Sequence, residues 1–209
     1  MRSDPDLFEK PGGKYMNHYF VYESPVGPLQ MVSDGSSLIG LHFSNLTTGS
    51  TMRNDLTVTP FSETADQLDK YFAGLLEDFD LPISLHGSDF QIQAWKELRR
   101  IPYGETISYK MQAERIGSVP RAVGLVNGQN PVCIIVPCHR VIGADGRLVG
   151  FGGGLHRKRA LLQFEALTRD FGPQPFPPLV KYGTRDSKQQ PGLGMENQDQ
   201  LYFRTEVRK

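Results

Sequence analysis

The sequence predicts two successive domains: an α/β unit built on a small antiparallel sheet with one helix, then a mostly α unit carrying a helix-turn-helix. Three observations point there. Short β-rich runs broken by turn residues open the chain, helical spacing with cap and stop residues governs the later part, and the charge changes sign between them. Residues 1–89 hold five Lys/Arg against thirteen Asp/Glu, a net −8, whereas residues 90–165 hold eleven against five, a net +6. The second unit can attract a polyanion and the first cannot.

After a polar leader, residues 1–17, the run HYFVYESPVGPLQMVSDGSSLIGLHF places strands near 18–23, 28–33 and 38–43, joined at Pro-Val-Gly-Pro and Asp-Gly-Ser-Ser. From Ser62, the spacing of Leu68, Tyr71, Phe72, Leu75 and Leu76 predicts an amphipathic helix, with Glu63 and Asp66 near its start. The segment FDLPISL reads as another strand or an extended linker, and the unit spans residues 18–88.

At Asp89 the pattern changes, and the second unit spans 89–171. Asp89 is the expected N-cap of a helix carrying Ile92, Trp95 and Leu98, stopped by Ile-Pro-Tyr-Gly at 101–104. Ser108 caps a short helix closed by Gly117, and Pro120 suits the first turn of PRAVGLVNG. Two short helices around a glycine turn are the helix-turn-helix candidate. The apolar, β-branched run VCIIVP reads as a buried strand that delivers Cys138, His139 and Arg140 at its end. GADG is a turn, GFGGG a glycine loop, and LHRKRALLQFEAL a basic amphipathic helix with Glu165 near its end; residues 172–209 are expected as a disordered tail.

A hydrophobic content of 38% suffices for a core, and no apolar run approaches the roughly 20 residues that cross a bilayer. The N-terminus lacks an apolar signal stretch, so a cytoplasmic location is expected, or a nuclear one in a eukaryote. Cys133 and Cys138 are too close in an extended segment to form a disulfide framework, and the five histidines show no metal-ligand spacing. Neither metal nor cofactor is expected.

Cys138 followed by His139 is the chemically most informative place. A thiol attacks as thiolate, and an imidazole that accepts its proton eases that step. Adjacent residues of an extended strand point to opposite faces, so a contact between them requires a bent backbone or a bridging water. Taken alone, such a pair is more often a buried small hydrophobe beside a satisfied histidine.

The surrounding residues change that balance. FQIQAWKELRRIPYGETISY, PRAVGLVNGQNPVCIIVPCHRVIG, the glycine loop and LLQFE, in this order from Phe90 to Glu165, resemble the O6-alkylguanine-DNA alkyltransferases (methylated-DNA-protein-cysteine methyltransferases), in their bacterial form. SPVGPL is a looser likeness to that family's ribonuclease-H-like N-terminal domain. The resemblance implies a winged-helix-like second domain and repair of O6-alkylguanine, with O4-alkylthymine as the candidate second lesion. The alkyl group would move irreversibly to Cys138 after base flipping. It implies a monomer acting on double-stranded DNA through the minor groove, without membrane contact.

Residue by residue, the resemblance makes Cys138 the acceptor and His139 its base through a water, with Glu165 orienting His139. Tyr109 would donate to a ring nitrogen of the leaving guanine. Arg121 would fill the gap left by the flipped nucleotide, Ala122 and Gly124 would let the helix approach the groove, and Asn130 would brace the helix-turn-helix. The carbonyls of Cys138 and Val141 would receive the guanine amine, and the Gly152 amide would approach the alkylated oxygen. Phe151 and Gly152 stand where animal members carry Tyr-Ser, and Asn127 where an apolar residue can occur. The glycines 152–154 suggest a roomier pocket that accepts groups larger than methyl. Damage-sensing relatives lack the acceptor cysteine that Cys138 supplies, and a cysteine hydrolase would need an oxyanion-hole motif that the sequence does not show.

Overall fold

The computed structural model describes residues 17–44, 55–177 and 179. The expected leader and most of the expected tail lie outside them. The three strands form as the alternation predicts, β1 His18–Tyr22, β2 Leu29–Ser33 and β3 Leu38–Phe43, in one antiparallel sheet of order β1-β2-β3. Helix α1, Phe61–Phe72, buries Phe61, Leu68, Tyr71 and Phe72. It stops before Leu75 and Leu76, which the spacing had included, because Gly74 turns the chain at φ 72° and leaves Leu75 exposed.

The free edge of β3 is covered by two other segments. Leu38 N–H donates to the Pro82 carbonyl at 2.7 Å and its own carbonyl accepts from Ser84 at 3.0 Å, so FDLPISL contributes one parallel bridge and no regular strand. Further along, Leu41 N–H donates to the Pro131 carbonyl at 2.8 Å, and its carbonyl accepts from Cys133 at 2.9 Å. The first sheet is thereby joined directly to the segment that carries the thiols.

In the second half, α2 runs Asp89–Leu98, but its N-cap is Ser88. Ser88 has the extended backbone a cap requires and shares a capping box with Gln91, leaving Asp89 in the first turn, where its carboxylate meets the positive helix end. A short strand β4, Ile107–Ser108, pairs in parallel with β5, Val141–Ile142. Ser108 caps α3, Tyr109–Arg115, by accepting from Met111 N–H at 3.0 Å. Gly117 turns at φ 66° and Pro120 opens α4, Pro120–Gly128, completing the helix-turn-helix. Helix α5, Leu155–Phe171, closes the described fold.

The run 132–137 is buried as expected, but it is not a strand. Ile134 takes φ 73°, the Ile135 and Val136 amides turn back to the carbonyls of Cys133 and Val132, and Cys138–Arg140 form one 3-10 turn. Burial and β-branching suit any apolar interior path, and the edge at Leu41 offers the run only one ladder position. The bend lifts Cys138 and His139 out of the strict strand alternation that would have separated them.

Polar contacts lock α2, α3 and α4 together. Trp95 donates from Nε1 to the Val126 carbonyl at 3.0 Å. Gln112 donates to the Ala94 carbonyl at 3.1 Å and exchanges hydrogen bonds of 3.2 and 2.7 Å with Asn127. One buried core runs through both halves, from Leu29 and Leu68 to Trp95, Val136 and Phe164. Phe176, at the start of the expected tail, packs on Phe72 and Phe164 at ring separations of 5.3 and 4.9 Å. Among the described residues, no helix is long and apolar enough to cross a membrane.

The buried amide pair gives a stability prediction. Asn127→Ala leaves the buried Gln112 short of its partner and should lower unfolding free energy by roughly 1–3 kcal/mol, read as a lower urea midpoint at unchanged slope. An unchanged midpoint would show the pair to be energetically neutral.

Candidate active site

Cys138 is the first residue of the 3-10 turn, and its thiol lines a cavity of about 220 Å³ shared with Asn130, Cys133, Phe151, Gly152 and Phe43. A larger groove of about 710 Å³ lies along α2 and α3, lined by Ile92, Glu97 and Arg115 and without a cysteine. Burial pushes the Cys138 thiol above its ordinary pKa, and a hydrogen bond from Asn130 with the charge of Lys158 pulls it partly back. Cys138 is therefore a thiol at neutral pH and needs a base to react.

His139, the next residue in sequence, is fully buried. His139 Nε2 lies 2.8 Å from Glu165 Oε1. Burial would raise the Glu165 carboxyl, yet His139 and Arg140 hold it well below the usual carboxylate range. Arg140 donates to it twice, from Nε at 2.9 Å and Nη2 at 3.0 Å, Tyr71 donates its hydroxyl at 2.7 Å, and Gly104 N–H approaches at 3.3 Å. For His139, burial pushes the imidazole below its ordinary pKa and outweighs the attraction of Glu165. A neutral imidazole facing an acceptor-only carboxylate must carry its proton on Nε2, which leaves the Nδ1 lone pair free. Nδ1 is buried and has no hydrogen-bond partner among the described residues.

Around the thiol, Asn130 donates to the Val136 carbonyl at 2.7 Å and accepts from Val132 N–H at 3.1 Å, tying the end of α4 to the bent segment. The Tyr109 hydroxyl sits 3.3 Å from the carbonyls of Val149 and Gly150, with burial pushing it up to about 12. It stays protonated, and its ring lies beside Gly124. The Cys138 carbonyl accepts from Val141 N–H, and the Val141 carbonyl accepts from Lys158 Nζ at 2.7 Å, so each already has one partner. Gly152 is exposed with open space where a side chain would stand. Arg121 is exposed near the start of α4 with Ala122 beside it; the other end of the same helix lines the cavity at Asn127 and Gly128.

Several contributors were not foreseen. Arg140 and Tyr71 complete the Glu165 shell. Lys158 donates to the carbonyls of Val141, Val149 and Gly150 and so pins the glycine loop to the active-site turn; burial lowers its ammonium to about 8. Two signals pointed to them: an arginine inside an apolar run needs a buried acceptor, and Lys158 stands two helical turns before Glu165, on the same face as Leu161 and Leu162. Arg140 and Lys158 are buried, but so are Glu97 and Glu165, so the net +6 of residues 90–165 is still presented outward.

A sheet domain joined to a helix-turn-helix domain, with a buried cysteine at their shared cavity and a carboxylate-held histidine next to it in sequence, defines a DNA-binding protein built around a cysteine nucleophile. Residues 17–85 match the ribonuclease-like domain of 6-O-methylguanine DNA methyltransferase, and residues 89–167 match its DNA-binding domain. The chain belongs to that family. It is 52% identical over 154 residues to the methylated-DNA–protein-cysteine methyltransferase of Mycobacterium bovis, covering 72% of this chain and 93% of the relative. The Methanosarcina barkeri protein of that name is 45% identical over 152 residues, covering 71% and 96%. The crystal structure of Mycobacterium tuberculosis OGT in complex with DNA superposes with a TM-score of 0.64 at 51% identity, covering 71% of this chain and 92% of that one.

The buried cluster makes stability depend on pH. Glu165 and His139 both bind fewer protons folded than unfolded, so stability rises with pH wherever either titrates. The His139 contribution is complete above about pH 6.5 and lost as pH falls through its lower folded value; that of Glu165 is complete above about pH 4.3 and lost below it. Urea midpoints should therefore fall from about pH 6.5 downward. Glu165→Gln should lose about 3–5 kcal/mol at neutral pH, because it strands Arg140, and should flatten the most acidic part of the curve. A pH-independent wild-type midpoint would contradict this account.

Proposed function

We propose that the protein repairs O6-alkylguanine in DNA by moving the alkyl group to Cys138, once per molecule. The observation that carries this reading is the neutral His139, fixed by Glu165 with its Nδ1 lone pair unpaired, directly following a cavity-lining cysteine in the chain. His139 takes the thiol proton through a bridging water. The thiolate sulfur attacks the alkyl carbon in line with O6; the S–C bond forms as the C–O6 bond breaks. Tyr109 gives a proton to a ring nitrogen, so the guanine leaves neutral, and the proton count closes when Tyr109 regains the proton held at His139 through solvent. The thioether is permanent, which makes the protein a single-turnover methyltransferase that needs no cofactor.

An alkylated oxygen inside a duplex is out of reach of a cavity this deep, so the nucleotide is flipped out at a cost of a few kcal/mol. Arg121, exposed on α4, fills the gap in the stack, and Ala122 and Gly124 give that helix a low profile against the minor groove. The guanine amine meets the second lone pairs of the Cys138 and Val141 carbonyls, Phe151 borders the base, and the Gly152 amide approaches O6. The protein acts as a monomer on double-stranded DNA in the reducing cytoplasm, where Cys133 and Cys138 stay reduced.

Intact-protein mass spectrometry after incubation with an O6-methylguanine oligonucleotide should show one added methyl, located on the Cys138 peptide and absent in Cys138→Ser; no gain in reduced wild type sinks the reading. Normalised to the protein that remains folded, Glu165→Gln should slow transfer on the order of a hundredfold with DNA affinity little changed, the size expected for losing an oriented base. Arg121→Ala should slow transfer from duplex DNA at least tenfold while leaving transfer from free O6-benzylguanine nearly intact. Equal loss on both substrates would remove Arg121 from the flipping step.

A further inference from the structure

Phe43, the last residue of β3, lines the cavity that holds the Cys138 thiol, although it belongs to the first domain. Its ring is held from two sides. The Phe151 ring meets it edge-on at 5.5 Å and 68°, and the Arg157 guanidinium lies 5.1 Å from its centre. Arg157 is itself fixed, donating to the Val26 carbonyl at 2.6 Å and the Gly153 carbonyl at 2.9 Å. One arginine thus ties the turn of the first sheet, the Phe43 ring and the glycine loop together.

The loop glycines do not have one common meaning. A Cβ on Gly152 would meet nothing within 4 Å, whereas a Cβ on Gly153 would lie 2.5 Å from two carbons of the Phe43 ring, closer than such atoms approach. Gly153 is small because Phe43 fills the space, so the glycine run does not by itself make the pocket roomier. The cavity is open toward Gly152 and walled at Phe43.

Resting on the function proposed above, we infer that Phe43 is a specificity-determining residue: this first-domain ring sets how large an alkyl group the thiol can accept. Methyl fits beside the wall; a benzyl or longer chain competes with the ring for the same space. Clamped between Phe151 and Arg157, the ring yields less readily than a lone side chain would.

The test uses the full chain and measures single-turnover rates on two duplexes that differ only in carrying O6-methylguanine or O6-benzylguanine, normalised to active protein by titration. Phe43→Ala should raise the benzyl-to-methyl rate ratio about tenfold, and Phe43→Leu should raise it by an intermediate factor. Because both substrates are read on one preparation, partial misfolding lowers both rates and leaves the ratio alone. Should Phe43→Ala fail to fold, Phe43→Leu decides. A ratio within twofold of wild type in the folded variants overturns the inference. Failure of wild type to methylate Cys138 would instead overturn the functional reading, so the two failures are distinct.

Discussion

The fold depends on one buried carboxylate. Taking the Glu165 charge out of water is expensive, and an isolated carboxylate would take up a proton instead. It stays ionised because Arg140, His139, Tyr71 and the Gly104 amide surround it. These partners come from α1, the loop after α2 and the 3-10 turn, and the carboxylate itself from α5, so ionising one group requires all four segments in register. Arg140 also donates to the Ile101 carbonyl at 2.8 Å, which fixes the same loop a second time. Electrostatic satisfaction and tertiary assembly are here the same requirement, and the tautomer of His139 follows from it.

A pair of cations supports the glycine loop. Lys158 gathers the carbonyls at its start, and Arg157 holds the one at Gly153. Both stand on the first turns of α5, the helix that carries Glu165. The loop and the His139 imidazole are therefore held from one rigid element, and the loop keeps its shape with few side chains of its own. Helix α4 needs no such support, being tied through Trp95, the Gln112–Asn127 pair and Asn130.

Much of this was legible in the sequence because it depends on local rules. Strand alternation, the Ser108 cap, Pro120 at a helix start and the glycine turn between α3 and α4 are each decided within a few residues. Ser88 displaced Asp89 as a cap because both residue types cap well and only the backbone angle separates them. The 132–137 run misled because apolar β-branched residues report burial and not direction. The adjacency of Cys138 and His139 and the helical position of Glu165 could be read from the sequence, and the resemblance supplied their expected roles; the contact of Tyr71 with Glu165 could not, since residues 94 positions apart leave no trace in spacing.

The sharing of β3 has a consequence for modularity. Its outer edge hydrogen-bonds the thiol-bearing segment through Leu41, its last residue walls the cavity, and α1 beside it lends a hydroxyl to the central carboxylate. The catalytic half excised by itself would present an unmatched backbone edge, a carboxylate short of one donor and a cavity without one side. The two domains are therefore not a reader attached to a reactor. Any exchange of the first domain between relatives transplants part of the wall of the Cys138 cavity, and interdomain contacts become as constrained as the residues around the thiol.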